Sequence, residues 1–171
     1  MKKIVLCVAV FLLVSAPGMN LSAQPTTIIL LRHAEKDTTV AGSAMMKADP
    51  PLTGAGELRA ERLLDVLKAY QPDAIYSTNY IRTKATVTPL AKKFNKDIQL
   101  YDTKNLAAFG EQLLQQQGKT IIVAGHSNTT PSLVNLLIKE NKYPNLEDSV
   151  YAQFWIVTIA DGKVVAKVMT Y

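Results

Sequence analysis

Apolar and polar positions along this chain switch between two periods. Short apolar runs of strand character occur at Ile28 to Leu31, Ala74 to Tyr76, Ile98 to Tyr101 and Ile121 to Val123, with two more in the C-terminal AQFWIVTIA and KVVAKVMT. Between them the pattern becomes helical. Ala60, Leu63, Leu64 and Leu67 recur at i, i+3, i+4, i+7 behind a capping Thr53, while Arg59, Glu61, Arg62 and Asp65 fall on the opposite, solvated side. Ser77 and Thr78 are expected to cap a second helix that holds Arg82 in its first turns and is kinked or restarted at Pro89. Leu106, Phe109 and Leu113 mark a third, ending at Gly118. A fourth is expected to be capped by Thr129 or Thr130, with Pro131 in its first turn and Leu133, Leu136 and Leu137 facing the core. Alternation of this kind predicts an α/β fold with a mainly parallel sheet. Asp161-Gly162 joins the last two runs and predicts a hairpin at one sheet edge. The polar stretch Asp37 to Pro51 is long for a compact domain, which makes it either a lid over a site or a plain surface insertion.

The first residues do not fit that pattern. Lys2 and Lys3 precede an apolar segment of eleven residues, Ile4 to Val14, followed by Pro17, Gly18 and the small residues Ser22 and Ala23. This is the build of a secretory signal peptide, too short to span a bilayer, so residues 1–23 are expected to be removed and residues 24–171 to form one domain. The expected location is secreted or periplasmic, with no stable membrane insertion afterwards. The only cysteine, Cys7, lies inside the signal. The mature chain therefore has no disulfide, cysteine nucleophile or thiolate metal site. Its net charge is +3, with 17 basic against 14 acidic side chains, down from +5 for the whole chain. A modest positive excess suits an anionic small molecule. It is too weak for nucleic acid, and no basic arm with interleaved aromatics is present.

The chain has two histidines, and each directly follows an apolar strand. Thr27 to Lys36 reads TIILLRHAEK and delivers Arg32 and His33. Thr120 to Asn128 reads TIIVAGHSN and delivers His126. In open α/β sheets ligands bind outside the carboxyl ends of the strands, so two strands placed side by side can face their histidines across one site. Arg82 follows a third strand end at Ser77. Two arginines and two histidines at strand exits suit a phosphoryl group: guanidinium forks match its oxygens, and a neutral imidazole can attack phosphorus. Amides near Ser127 and Asn128, at a helix N-terminus, can add to the anion pocket.

These segments resemble the histidine phosphatase superfamily, the phosphoglycerate mutase-like fold, and its small phosphohistidine phosphatase-like branch. LLRHAEK is similar to the family's first block, an Arg-His pair after the first strand, with Ala34 where Gly is usual. STNYIRTKATVTPLA resembles its second block, matching at Ser77, Arg82 and Thr86 and departing at Thr83, Ala85 and Val87. LTGAG and GHSN supply the remaining matches. The resemblance implies a three-layer α/β/α sandwich and a phosphatase that forms a phosphohistidine on His33, and the N-terminal segment adds the expectation that it is exported. The resemblance also implies that Arg32, Arg82 and His126 complete the phosphate pocket and that no metal or cofactor takes part, while the chemistry of the site itself suggests His126 as a cationic donor and Asn128 as a substrate-binding residue. For the proton donor the resemblance offers Asp102, near the place of a family glutamate, with Glu35 as the other candidate. The short chain favours a phosphatase over a mutase.

Other readings are weaker. GHSNT as a hydrolase elbow would need Gly at Thr129 and a histidine downstream of Ser127, and neither exists. No metal-ligand spacing such as HExxH occurs. A phosphoester-binding module on the same fold, without turnover, is the non-enzyme alternative. Leaving-group recognition is expected on Asp37 to Pro51 and around Asp102 to Phe109, with no readable substrate code. Tyr151, Phe154 and Trp155 are assigned to hairpin packing rather than an interface.

Overall fold

The computed structural model describes residues 24–39, 44 and 48–171. The expected signal peptide and part of the polar stretch after Asp37 lie outside the described residues. The first strand, β1 (Thr26–Arg32), turns Ile28 and Leu30 to one side and Ile29 and Leu31 to the other, all fully buried. Burial on both faces is why this strand reads as an unbroken apolar run. Strands β2 (Ala74–Ser77), β3 (Ile98–Leu100) and β4 (Thr120–Gly125) join it in parallel. Strands β5 (Gln153–Ala160) and β6 (Lys163–Thr170) add antiparallel to its other side. The sheet order is β3-β2-β4-β1-β5-β6, so the predicted hairpin does form one edge. Its turn has Asp161 and Gly162 at φ of 50° and 71°, the paired positive values a two-residue I′ turn requires.

Among the described residues, four α-helices cover the sheet. On one face Leu63 and Leu67, in and just beyond α1 (Gly54–Val66), and Val87, Leu90 and Ala91 of α2 (Ile81–Phe94) pack on Ile29, Leu31 and Ile122. On the other, Phe109 and Leu113 of α3 (Leu106–Leu114) and Leu133, Val134 and Leu137 of α4 (Thr129–Ile138) pack on Ile28, Leu30, Val123 and Trp155. The three-layer sandwich is thus as expected, and Phe154 and Trp155 are interior residues.

Several local expectations are corrected. Ser77 and Thr78 do not cap α2, because Ser77 ends β2 and the Thr78 hydroxyl is bonded to His126. The Asp49 carboxylate takes the cap instead, accepting the Ile81 N–H at 2.9 and 3.0 Å. Helix α2 also runs on through Pro89 rather than restarting. The lost bond is outweighed by the packing of Val87, Leu90 and Ala91 around it. At α4 the cap is Asn128, since Thr129 Oγ1 accepts from the His126 N–H and Thr130 Oγ1 donates to the Leu31 carbonyl. Leu136 is exposed, and Val134 fills the core position expected of it.

Helix α1 begins against the segment that follows β1. Thr53 Oγ1 accepts from the Gly56 N–H at 3.0 Å, and the Thr53 N–H donates to the Glu35 carbonyl at 2.9 Å. A Cβ at Gly56 would collide with the Glu35 backbone, whereas one at Gly54 would meet nothing within 4 Å. Gly56→Ala is expected to lower unfolding free energy by about 1–3 kcal/mol, the usual range for overpacking, and Gly54→Ala to leave it nearly unchanged. Urea denaturation of the two variants checks this.

Candidate active site

Arg32 is the last residue of β1 and pairs in register with Gly125 at the end of β4. The next residue, His33, continues the pairing: its N–H donates to the Gly125 carbonyl at 2.9 Å. His126 follows Gly125. The two imidazoles therefore stand side by side, with centroids 5.4 Å apart and planes inclined by 68°. A side chain at Gly125 would meet the Thr130 and Tyr101 hydroxyls at 2.8 Å, so only glycine lets the strand end lie this close to them.

His33 is 3% exposed. Its Nδ1 lies 2.7 Å from the Ala34 carbonyl, which can only accept, so Nδ1 carries the proton and Nε2 keeps its lone pair. Burial, with smaller contributions from Arg82, His126 and Arg32, pushes its pKa down to about 3 despite the opposing Ala34 bond. Burial, then Arg82 and Arg32, likewise lower His126 to about 4. In the open cleft these effects favour the neutral His126 ring. An anion between the arginines works in the opposite direction on it. Its Nε2 shares a 3.0 Å hydrogen bond with Thr78 Oγ1, and the Tyr80 ring meets it edge-on at 4.9 Å.

Both arginines reach the same cleft, a cavity of about 480 Å³ that His33 and His126 also line. Arg32 is buried. Its Nη1 donates to the carbonyls of Glu147, Asp148 and Val150, and its guanidinium lies 4.1 Å from the Tyr151 ring centroid. Arg82, in the first turn of α2, stacks on Tyr80 at 4.5 Å and bridges to Asp49 at 3.3 Å. The Nε atoms of both are buried with no hydrogen-bond partner among the described residues. Leaving such a donor unpaired costs roughly 1–3 kcal/mol, and the two guanidinium groups meet at this one cleft, where two cations suit an anion. Other grooves of similar volume, such as the one lined by Leu58, Ala85 and Pro89, contain no histidine or arginine. Among the described residues no three His, Cys, Asp or Glu side chains gather as a metal cage would need.

The remaining predicted residues are placed less centrally. Asn128 lines the cleft, but its side-chain oxygen is occupied in capping Thr129. Asp102 is exposed and caps the 3-10 turn Thr103–Asn105, accepting from the Lys104 N–H at 2.9 Å; it does not line the cleft, although Thr103 does. Glu35 faces away and forms a bidentate bridge to Arg59, with three contacts of 2.7 to 2.9 Å. Burial would raise the pKa of Glu35, yet the Arg59 hydrogen bonds hold it below the usual carboxylate range. Lys36, Tyr80, Thr129 and Asp148 also line the cleft and were missed. Lys36 carried a usable signal, being three residues past His33. Asp148 carried none, since it comes from a loop more than a hundred residues downstream.

Comparison with known proteins agrees with this geometry. A family model described as histidine phosphatase superfamily (branch 1) matches residues 28–110, a span that includes Arg32, His33 and Arg82. Over residues 28–110 the chain matches the histidine phosphatase superfamily. No curated protein matches it in a sequence search. Among solved structures it is similar to the protein histidine phosphatase SixA complexed with tungstate, at 16% identity and a TM-score of 0.67, over 84% of this chain and 96% of that one. It is also similar to a phosphoserine phosphatase from Entamoeba histolytica in complex with 3-phosphoglyceric acid (17%, TM-score 0.64, 85% and 97%). A mycobacterial glucosyl-3-phosphoglycerate phosphatase gives 12%, a TM-score of 0.65, and 86% and 99%. At these identities the likeness is one of fold.

Ala34, which departs from the family's first block, and Thr86, which matches its second, are both fixed by local contacts. The Ala34 methyl is fully buried against Leu52, Ala60 and Ala85. Thr86 accepts the Ala34 N–H at 2.9 Å and donates to the Arg82 carbonyl at 2.8 Å, tying the residue after His33 to the turn that carries Arg82.

Neutral buried histidines make folding pH-dependent. Unfolded imidazoles take up protons near pH 6.5, whereas folded His33 and His126 resist protonation down to about pH 3 and 4. The unfolded state therefore binds more protons in this window, and stability falls as pH drops below about 6.5. Each histidine contributes a slope of up to about 1.4 kcal/mol per pH unit. Urea titrations between pH 6.5 and 4.5 are expected to show a shallower loss for His33→Gln than for the unaltered protein.

Proposed function

We propose that this protein is a metal-independent phosphatase that hydrolyses a phosphomonoester or phosphoramidate through a phosphohistidine on His33. The observation that carries the reading is the His33 imidazole, held neutral with its Nε2 lone pair available, beside two arginines with unpartnered buried Nε atoms. Arg32 and Arg82 would hold the phosphoryl oxygens, with Lys36 and Thr129 at the cleft wall. The bound dianion would raise the His126 pKa, turning that ring into a cationic donor as charge develops on the phosphoryl group. His33 Nε2 would displace the leaving group in line, and water would then release phosphate.

Residues 1–23 support an exported, secreted or periplasmic enzyme, with a mature N-terminus at Gln24. Cell fractionation with mass measurement of the mature chain tests that location. A full-length chain confined to the cytoplasm would oppose it.

The activity is tested by a phosphoester and phosphoramidate panel with a chelator present throughout. Turnover is expected to survive chelation, to fall more than about 10³-fold in His33→Ala, and to fall about 10²-fold in Arg82→Ala. An acid-labile phosphoryl label should accumulate on rapid quenching and be absent from His33→Ala. Phosphate binding with neither label nor turnover would instead identify a binding module on this fold.

A further inference from the structure

The phosphatase reading leaves a proton unassigned. His33 forms the floor of the cleft, so a leaving group displaced in line from it departs toward the mouth. The proton donor must stand there. Glu35 is bound to Arg59 away from the cleft, and Asp102 caps a turn outside it. Asp49 spends both carboxylate oxygens on the Ile81 N–H and one of them also on Arg82. Asp148 differs from all three. It lines the cleft, its side chain is fully exposed, and its Oδ1 lies 3.7 Å from Arg32 Nη2. Its loop is fixed rather than free, because Arg32 Nη1 grips the carbonyls of Glu147, Asp148 and Val150 at 2.9 to 3.2 Å.

Resting on the phosphatase reading, we infer that Asp148 donates the proton to the leaving group. In the first step the His33 Nε2 lone pair forms the N–P bond, the P–O bond to the leaving group breaks, and that oxygen takes the Asp148 proton. In the second, water attacks phosphorus and gives its proton to the Asp148 carboxylate. The N–P bond then breaks with its electron pair returning to Nε2, and the carboxyl is restored. Arg32 thus does two things at once: it binds phosphate and holds the loop that positions the acid.

The experiment compares Asp148→Asn with the unaltered protein on two esters, one aryl with a nitrophenolate leaving group and one alkyl. A nitrophenolate leaves without protonation, and an alkoxide does not. Asp148→Asn is expected to lower kcat for the alkyl ester by about 10²-fold or more while lowering it for the aryl ester less than about tenfold. Equal losses on both esters would mean that Asp148 only shapes the phosphate pocket through Arg32, and would overturn the assignment. So would no loss on either, or a selective loss in Asp102→Asn instead. If the unaltered protein hydrolyses neither ester and takes no phosphoryl label, the phosphatase reading itself fails. Retained turnover with non-selective loss fails the donor alone.

Discussion

The site depends on one backbone contact, the hydrogen bond from the His33 N–H to the Gly125 carbonyl. It extends the parallel pairing of β1 and β4 one step past the sheet and sets the two strand exits level. His33 and His126 come from residues 93 positions apart, and this bond is what makes them neighbours. A slip of one residue between the strands would turn one imidazole to the opposite face. The register is protected by the burial of Ile28 to Leu31 and Ile121 to Ala124, because any slip would also move apolar side chains between two different cores. The packing that stabilises the sheet thus also holds the chemistry in place.

Electrostatics add a second constraint. Two guanidinium groups and two imidazoles share a partly enclosed cleft, and both histidines stay neutral there. The carboxylates of Asp49 and Asp148 partly balance the arginines, Asp148 beside Arg32 and Asp49 beside Arg82. Aromatic faces add further support, Tyr151 under Arg32 and Tyr80 under Arg82. Held on rings and backbone carbonyls, the guanidinium planes keep their orientation, which suits a fixed oxyanion geometry better than a mobile lysine would.

Much of the fold was legible because its signals are local. The buried strands read as apolar runs, the Thr53 cap and the stripe from Ala60 to Leu67 marked α1, and Asp161-Gly162 marked the hairpin. The strand exits also made both histidines and Arg32 stand out. What escaped was set by contacts distant in sequence. Thr78 looks like a helix cap, yet its hydroxyl is bonded to His126 while Asp49 caps Ile81 from 32 residues away. Asp148 and Tyr151 sit in an irregular loop with no periodicity, brought to the cleft by the grip of Arg32. Asp102 was attractive from its place after β3, but the strand ends early and its carboxylate is drawn into a local turn.

The central claim concerns the state of one imidazole, and nitrogen-resolved NMR of the two histidine side chains tests it most directly. The account predicts that His33 carries its proton on Nδ1, keeps Nε2 unprotonated, and does not titrate between pH 8 and pH 5. A His33 ring protonated on Nε2, or one that titrates near pH 6.5 like a free imidazole, would contradict it.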